Sequence, residues 1–214
     1  MNNILIFSKY TWGEKNMKFE KLLKKLESDR INGVTYSPSE IDLIARDILS
    51  QINYYPEEGA TPIVKIAKDF DFKTYKETLP DHLSGDIYIN GDTKEEYNHE
   101  KVILVNKRDE LFHQRFVVAH ELAHYLFDFI GNPDYKDIHV KFSDTYHKNK
   151  HETPQEIRAN RFAASILMPK DLFIKQYNYI NSIDNNRVFV LTYLSRFFET
   201  SIDSIEKRIL EVMA

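Results

Sequence analysis

The sequence of 214 residues contains no cysteine. Disulfide staples and thiolate metal sites are therefore excluded, and any bound metal must rest on histidine, aspartate, glutamate or backbone oxygen. No stretch approaches the length of a membrane span. The first apolar run, Ile4 to Phe7, is short and is not followed by a small-residue cleavage site, so it does not read as a signal peptide. Internal repeats and low-complexity linkers are also missing. Positive charge is not in excess: 29 lysines and arginines stand against 33 acids, giving a formal net charge of −4, which argues against a strongly electropositive nucleic-acid surface. These absences favour a cytoplasmic protein. What is present, 42% hydrophobic and 13% aromatic residues, suffices for one compact domain with a small appendage.

Along the chain, residues 14–30 place Phe19, Leu22, Leu23 and Leu26 at helical steps among lysines and glutamates, the pattern of an amphipathic helix with a solvated basic face. Ser37-Pro38-Ser39-Glu40 is a capping box with proline at the first helical position, and Ile41, Ile44, Ala45, Ile48 and Ile52 follow on one face. A shorter helical segment opens at Thr61-Pro62. Residues 85–90 and 101–105 read as strands, the second buried and ending at Asn106, and a long helical pattern runs from Phe112 to Phe129. The polar stretch between Gly131 and His151 reads as a loop or lid. Thr153-Pro154-Gln155-Glu156 is a second capping box, opening a helix that stops before Pro169. The tail is helical, with two helices across a tight turn in residues 188–210, resembling a helix-turn-helix. These readings divide the chain into a helical N-terminal extension (residues 1–36), a central domain (37–170) and a C-terminal helical module (171–214).

His120-Glu121-Leu122-Ala123-His124 carries the chemistry. Residues four apart on a helix share a face and can direct two imidazoles at one zinc ion. Glu121 lies too far round the helix to ligate, but it can reach a water polarised by the metal and take its proton as the water attacks a peptide carbonyl. Phe116 to Ala119, Leu122, Ala123 and Phe127 would bury most of this helix, and a buried polar stripe needs partners.

An open catalytic site requires a third protein ligand, here a histidine or a carboxylate. Glu156, on the next helix, is the candidate by position, but as the capping-box glutamate after Thr153 it could equally serve only the helix start. His139, His147, His151 and Asp128 are rivals. The three histidines are also candidate donors to the oxyanion that forms on the scissile carbonyl, as are Tyr125 and Tyr146. Asn160, one turn beyond Glu156, can hydrogen-bond the outer nitrogen of a ligating imidazole.

The run Phe116-Val-Val-Ala-His-Glu-Leu-Ala-His-Tyr, followed by Glu156-Ile-Arg-Ala-Asn-Arg-Phe-Ala-Ala-Ser-Ile-Leu-Met-Pro, resembles the ImmA/IrrE family of metallopeptidases. The resemblance extends over about residues 40–210, including Leu79-Pro80, Ser84-Gly85 and the strand ending Val105-Asn106. The tail joins it through Leu194, Phe198 and Ser201; residues 1–36 lie outside it. Asp128 stands where many members carry a further histidine. The resemblance implies a zincin-like fold, with Glu156 as third zinc ligand beside His120 and His124 and with Glu121 as general base. It implies a protein substrate, a helix-turn-helix repressor whose cleavage relieves transcription of a mobile element or a stress regulon. Zinc is the expected cofactor, with manganese the alternative ion.

The expected fold is α+β: a small twisted sheet, the active-site helix beneath it, a facing helix bearing Glu156, and the C-terminal module. A zinc metalloendopeptidase is the first functional reading. A second is a catalytically silent antirepressor or sensor that docks its repressor without cutting it, against which the presence of Glu121 argues. Direct DNA binding through residues 188–210 is disfavoured, because Arg196, Lys207 and Arg208 are interleaved with acids.

Overall fold

The computed structural model describes residues 19–52, 54, 59–89, 96–131, 138–142 and 153–213, with the backbone alone over 138–142. Helix α1 (Glu20–Ile31) buries Leu22 and Leu26, and Phe19, just before it, stacks on Phe70 with ring centroids 4.3 Å apart. Helix α2 (Pro38–Gln51) starts as its sequence dictates. Ser37 Oγ accepts from Glu40 N–H, and the Glu40 carboxylate accepts from Ser37 N–H at 2.7 Å. Ile41, Ile44, Ala45, Ile48 and Leu49 form its buried stripe. The short α3 (Ile63–Asp69) buries Ile63, Ile66 and Ala67.

Strands β1 (Lys73–Glu77), β2 (Gly85–Ile89), β3 (Lys101–Asn106) and β4 (Ile138–Phe142) form one sheet in the order β1-β3-β2-β4. β3, buried from Val102 to Asn106, is central; β1 runs parallel to it and β2 antiparallel. β4 pairs antiparallel with β2 at the sheet edge, with His139 opposite Tyr88. Two of these strands differ from the sequence reading. β1, Lys-Thr-Tyr-Lys-Glu, is polar and has no fully buried residue, so it carries no hydrophobic signal. β4 falls within the stretch read as a loop or lid; its Ile138-His-Val-Lys-Phe alternation is the period-2 pattern of a strand, embedded in polar sequence.

Helix α4 (Leu111–His124) packs against β2 and β3 on one side and α5 (Pro154–Leu167) on the other. It continues into a π-turn (Tyr125–Phe129), in which Ile130 N–H bonds Tyr125 O, five residues back, at 2.9 Å. Helices α6 (Lys170–Ile183), α7 (Arg187–Phe198) and α8 (Ile202–Met213) follow. Asn186 caps α7, and Glu199, in the left-handed region at φ 50°, makes the tight turn into α8. One cluster of buried apolar side chains runs from Phe19 through the sheet and α4 to Ile205. Each fully buried Leu, Ile or Phe in it contributes about 1.5–3 kcal/mol relative to exposure. Among the described residues, no helix is long and apolar enough to cross a membrane.

Candidate metal centre

Helix α4 brings its two histidines into the interior on the face turned toward α5. His120 is completely buried and His124 nearly so. Their Nε2 atoms lie 3.0 Å apart. Each outer nitrogen meets an oxygen: His120 Nδ1 is 3.0 Å from Asn160 Oδ1, and His124 Nδ1 is 2.8 Å from Asp128 Oδ2. Such acceptors favour a proton on each Nδ1, and the two Nε2 atoms are turned toward each other, where in the neutral rings they can offer lone pairs to a cation.

Glu156 supplies the third corner, 3.2 Å from His120 Nε2 and 3.4 Å from His124 Nε2. For tetrahedral zinc with bonds near 2.1 Å, neighbouring ligand atoms lie about 3.4 Å apart. The observed triangle of 3.0, 3.2 and 3.4 Å matches that spacing, so these residues fit a divalent ion of this size. The start of α5 explains how Glu156 reaches the site. Thr153 Oγ1 accepts from Glu156 N–H at 3.2 Å, with Pro154 at the first helical position. The glutamate side chain does not complete the box but turns to the histidines. Capping and coordination thus use different parts of the residue, backbone for one and carboxylate for the other.

The electrostatics follow from this geometry. Burial lowers the His120 pKa, outweighing the hydrogen bond to Glu156 that favours its charged form. For His124 burial is outweighed by hydrogen bonds to Asp128 and Glu156, and the ring is pushed up to about 9. Hydrogen bonds from His120 and His124 hold the Glu156 carboxyl well below the usual glutamate range.

Glu121 differs from all of these. It is completely buried, and among the described residues neither carboxylate oxygen has a hydrogen-bond partner. Burial pushes it up to about 8, against the attraction of His124 and with repulsion from Asp86 and Glu156 adding to the rise. Gly85, on β2, makes its room: a Cβ there would overlap Val117 and come within 3.1 Å of Glu121 Oε1. An unpartnered buried carboxyl is costly to keep, and this one borders the site where three ligand atoms converge.

The other candidates sort as follows. Asp128, weighed as a third ligand, instead links His124 to Arg158, accepting from both. Its spacing of four residues from His124 on one helical run was the available signal. Tyr125 is buried, with its hydroxyl 2.9 Å from Lys101 Nζ and its ring edge-on to Phe72, an arrangement that commits it to the sheet side of α4. The backbone of His139 lies on β4; His147, His151 and Tyr146 lie outside the described residues. Arg158 and Gly85, which shape the site from outside, were not singled out from sequence as site residues. Both lie inside the runs that carry the family resemblance, which was the signal available for them.

Comparison with known proteins adds a second line. No curated protein matches the chain. The family model described as the IrrE N-terminal-like domain, a peptidase family, matches residues 67–210, from α3 into α8. That span holds more than half of the chain, including His120, Glu121, His124 and Glu156. The chain belongs to the peptidase family of the IrrE N-terminal-like domain.

Proposed function

We propose that the chain is a zinc-dependent metalloendopeptidase whose substrate is a protein, specifically a helix-turn-helix repressor. Its cleavage in the cytoplasm relieves repression of a mobile element or a stress response. The observation that carries this reading is Glu121, buried and, among the described residues, without a hydrogen-bond partner beside three converging ligand atoms. In this reading His120, His124 and Glu156 hold the ion, while Asn160 and Asp128 orient the two imidazoles.

When bound, the ion supplies Lewis acidity, which activates water and polarises the scissile carbonyl. Glu121 takes a proton from the attacking water as the new C–O bond forms, and returns it to the leaving amine as the C–N bond breaks. Its raised proton affinity suits a group that must both accept and release a proton near neutral pH. The substrate lies extended along the open edge of β4, and His139, His147 and His151 are the proposed oxyanion donors. Residues 37–170 form the peptidase unit and residues 171–214 the appended module. The silent antirepressor reading gains nothing from the geometry, since docking a partner does not need a buried carboxyl without a hydrogen bond.

The test combines metal analysis by mass spectrometry on wild type, Glu156→Ala and Glu121→Gln with incubation of each protein with the repressor encoded beside it. The expected result is about one zinc per wild-type chain, much less in Glu156→Ala, and cleavage lost with metal retained in Glu121→Gln. Metal bound without cleavage by the wild type would favour the docking module, and no metal in any of the three would refute the reading.

A further inference from the structure

The cleft beside the metal cluster has a wall that the peptidase pattern does not supply. A cavity of about 470 Å³ opens against His124 and Glu156. One side is the π-turn with Arg158 of α5; the facing side is the end of α1, with Arg30 and Val34. Two residues past the end of α1, Gly33, with φ of +67°, permits the turn that brings Gly33 N–H to Arg30 O and Val34 N–H to Asp29 O. Arg30 and this turn precede residue 67, where the family match begins.

The two arginines of this cleft are in different electrostatic states. Arg158 is paired with Asp128. Arg30 donates from Nε to Ile130 O at 2.7 Å, a neutral carbonyl, and among the described residues no carboxylate pairs with it. A guanidinium has five N–H donors in a planar fork that fits a carboxylate in bidentate fashion. One bond anchors Arg30 to the end of the π-turn and leaves the terminal fork available. The anchored position matters, because little side-chain freedom remains to be lost on binding.

We infer that Arg30 is a specificity-determining residue that receives a carboxylate of the bound peptide, either an acidic side chain or the carboxyl end of a chain. The inference rests on the peptidase reading of the same site. A cavity of this volume is on the order of 10 Å across, about three residues of extended chain, so the carboxylate sits within that distance of the scissile bond.

The experiment uses three peptide hydroxamates of equal length: one with glutamate beside the chelating group, its glutamine counterpart, and an otherwise uncharged peptide ending in a free carboxylate. Calorimetry on the zinc-loaded protein should give at least about tenfold tighter binding of a carboxylate probe than of the glutamine probe. Which of the two carboxylate probes gains identifies the source. In Arg30→Gln, which keeps an N–H donor for the Ile130 carbonyl, the preference should vanish, with glutamine-probe affinity and zinc content unchanged within about twofold. Arg30→Lys should retain part of it. Equal binding of all three probes by the wild type, or a preference that survives Arg30→Gln, would overturn the inference while leaving the metal site standing.

A metal-independent readout separates the two ideas. Phenylglyoxal modification of Arg30, followed by peptide mass spectrometry, should be slowed by the same carboxylate-bearing peptide without its hydroxamate, and not by the glutamine peptide. Protection without any hydroxamate binding would support the carboxylate site and sink the metallopeptidase reading. Neither protection nor preference would sink the inference as well.

Discussion

Two polar clusters, each with buried members, share helix α5, and they are built on opposite principles. On one face Glu156 and Asn160 meet the histidines of α4. On the adjacent face Arg161 and Ser165 meet Asp42 of α2 and the pair Arg208 and Glu211 of α8. In the second cluster each acid has two guanidinium partners. Asp42 accepts from Arg161 at 2.7 Å and Arg208 at 2.8 Å, and Glu211 from the same two at 2.5 and 3.0 Å. Ser165 adds a bond of 2.6 Å to Asp42, and Arg208, completely buried, also donates to Met168 O. Charges there cancel, and the cluster ties the C-terminal helix to α2 and α5. In the first cluster two imidazole Nε2 atoms face one another and, among the described residues, Glu121 has no hydrogen-bond partner. A balanced network holds the protein together, whereas one left open to a cation and a proton is equipped for chemistry.

Substitutions that convert one kind of cluster toward the other test this contrast. Glu121→Gln should cut hydrolysis by about 10²–10⁴-fold with metal content and melting temperature preserved or raised, since it removes a general base that makes no hydrogen bond. Arg208→Ala should do the reverse, destabilising by about 2–4 kcal/mol in denaturant titration, since it removes a completely buried side chain and leaves the half-buried Asp42 with one guanidinium fewer. Its effect on metal content should be small. Chelation should lower the melting temperature of the wild type, because an ion at a hundredfold excess over its Kd stabilises by about 2.7 kcal/mol. Asp128→Asn should weaken metal affinity about 10–100-fold by competition assay, since it loosens the orientation of His124.

The smallest effect is in pH. Burial raises the Asp42 pKa, but hydrogen bonds from Ser165 and Arg208 prevail and hold it below the ordinary value of 3.8. A carboxyl depressed on folding contributes stability that is complete above that value and is lost as pH falls through its folded value. The gap in melting temperature between wild type and Asp42→Asn should therefore be constant in neutral buffer and close in strong acid. A gap that persists there would mean the pair is held by packing and not by charge.

The same contrast explains what could be read before the fold was known. The histidine pair and Glu121 announce themselves because their partners lie within one helical turn, and Glu156 with Asn160 because they recur at helical spacing in a recognisable run. Helix α2 was legible from Ser37 and Glu40 for the same local reason. The Asp42–Arg208 pair joins residues 166 apart in sequence, and no local pattern reports such a contact. β1 was missed because a polar strand that pairs through its backbone gives no apolar alternation, and β4 because its alternation is short. Asp128 was visible as a metal-competent acid, but whether it ligates or supports depends on where His124 turns its second nitrogen.

The 14 residues of α5 serve both clusters at once, and this sets how the segment can vary. Changes at 156 and 160 should surface as lost activity in a protein that still folds, and changes at 161 and 165 as loss of folded protein. Gln155 and the exposed Ile157 should accept replacement freely. A saturation scan would then trace a helical rhythm of two distinct phenotypes along one segment, offset by little more than a third of a turn. One helix thus carries the durability of the protein on one side and its chemistry on the next.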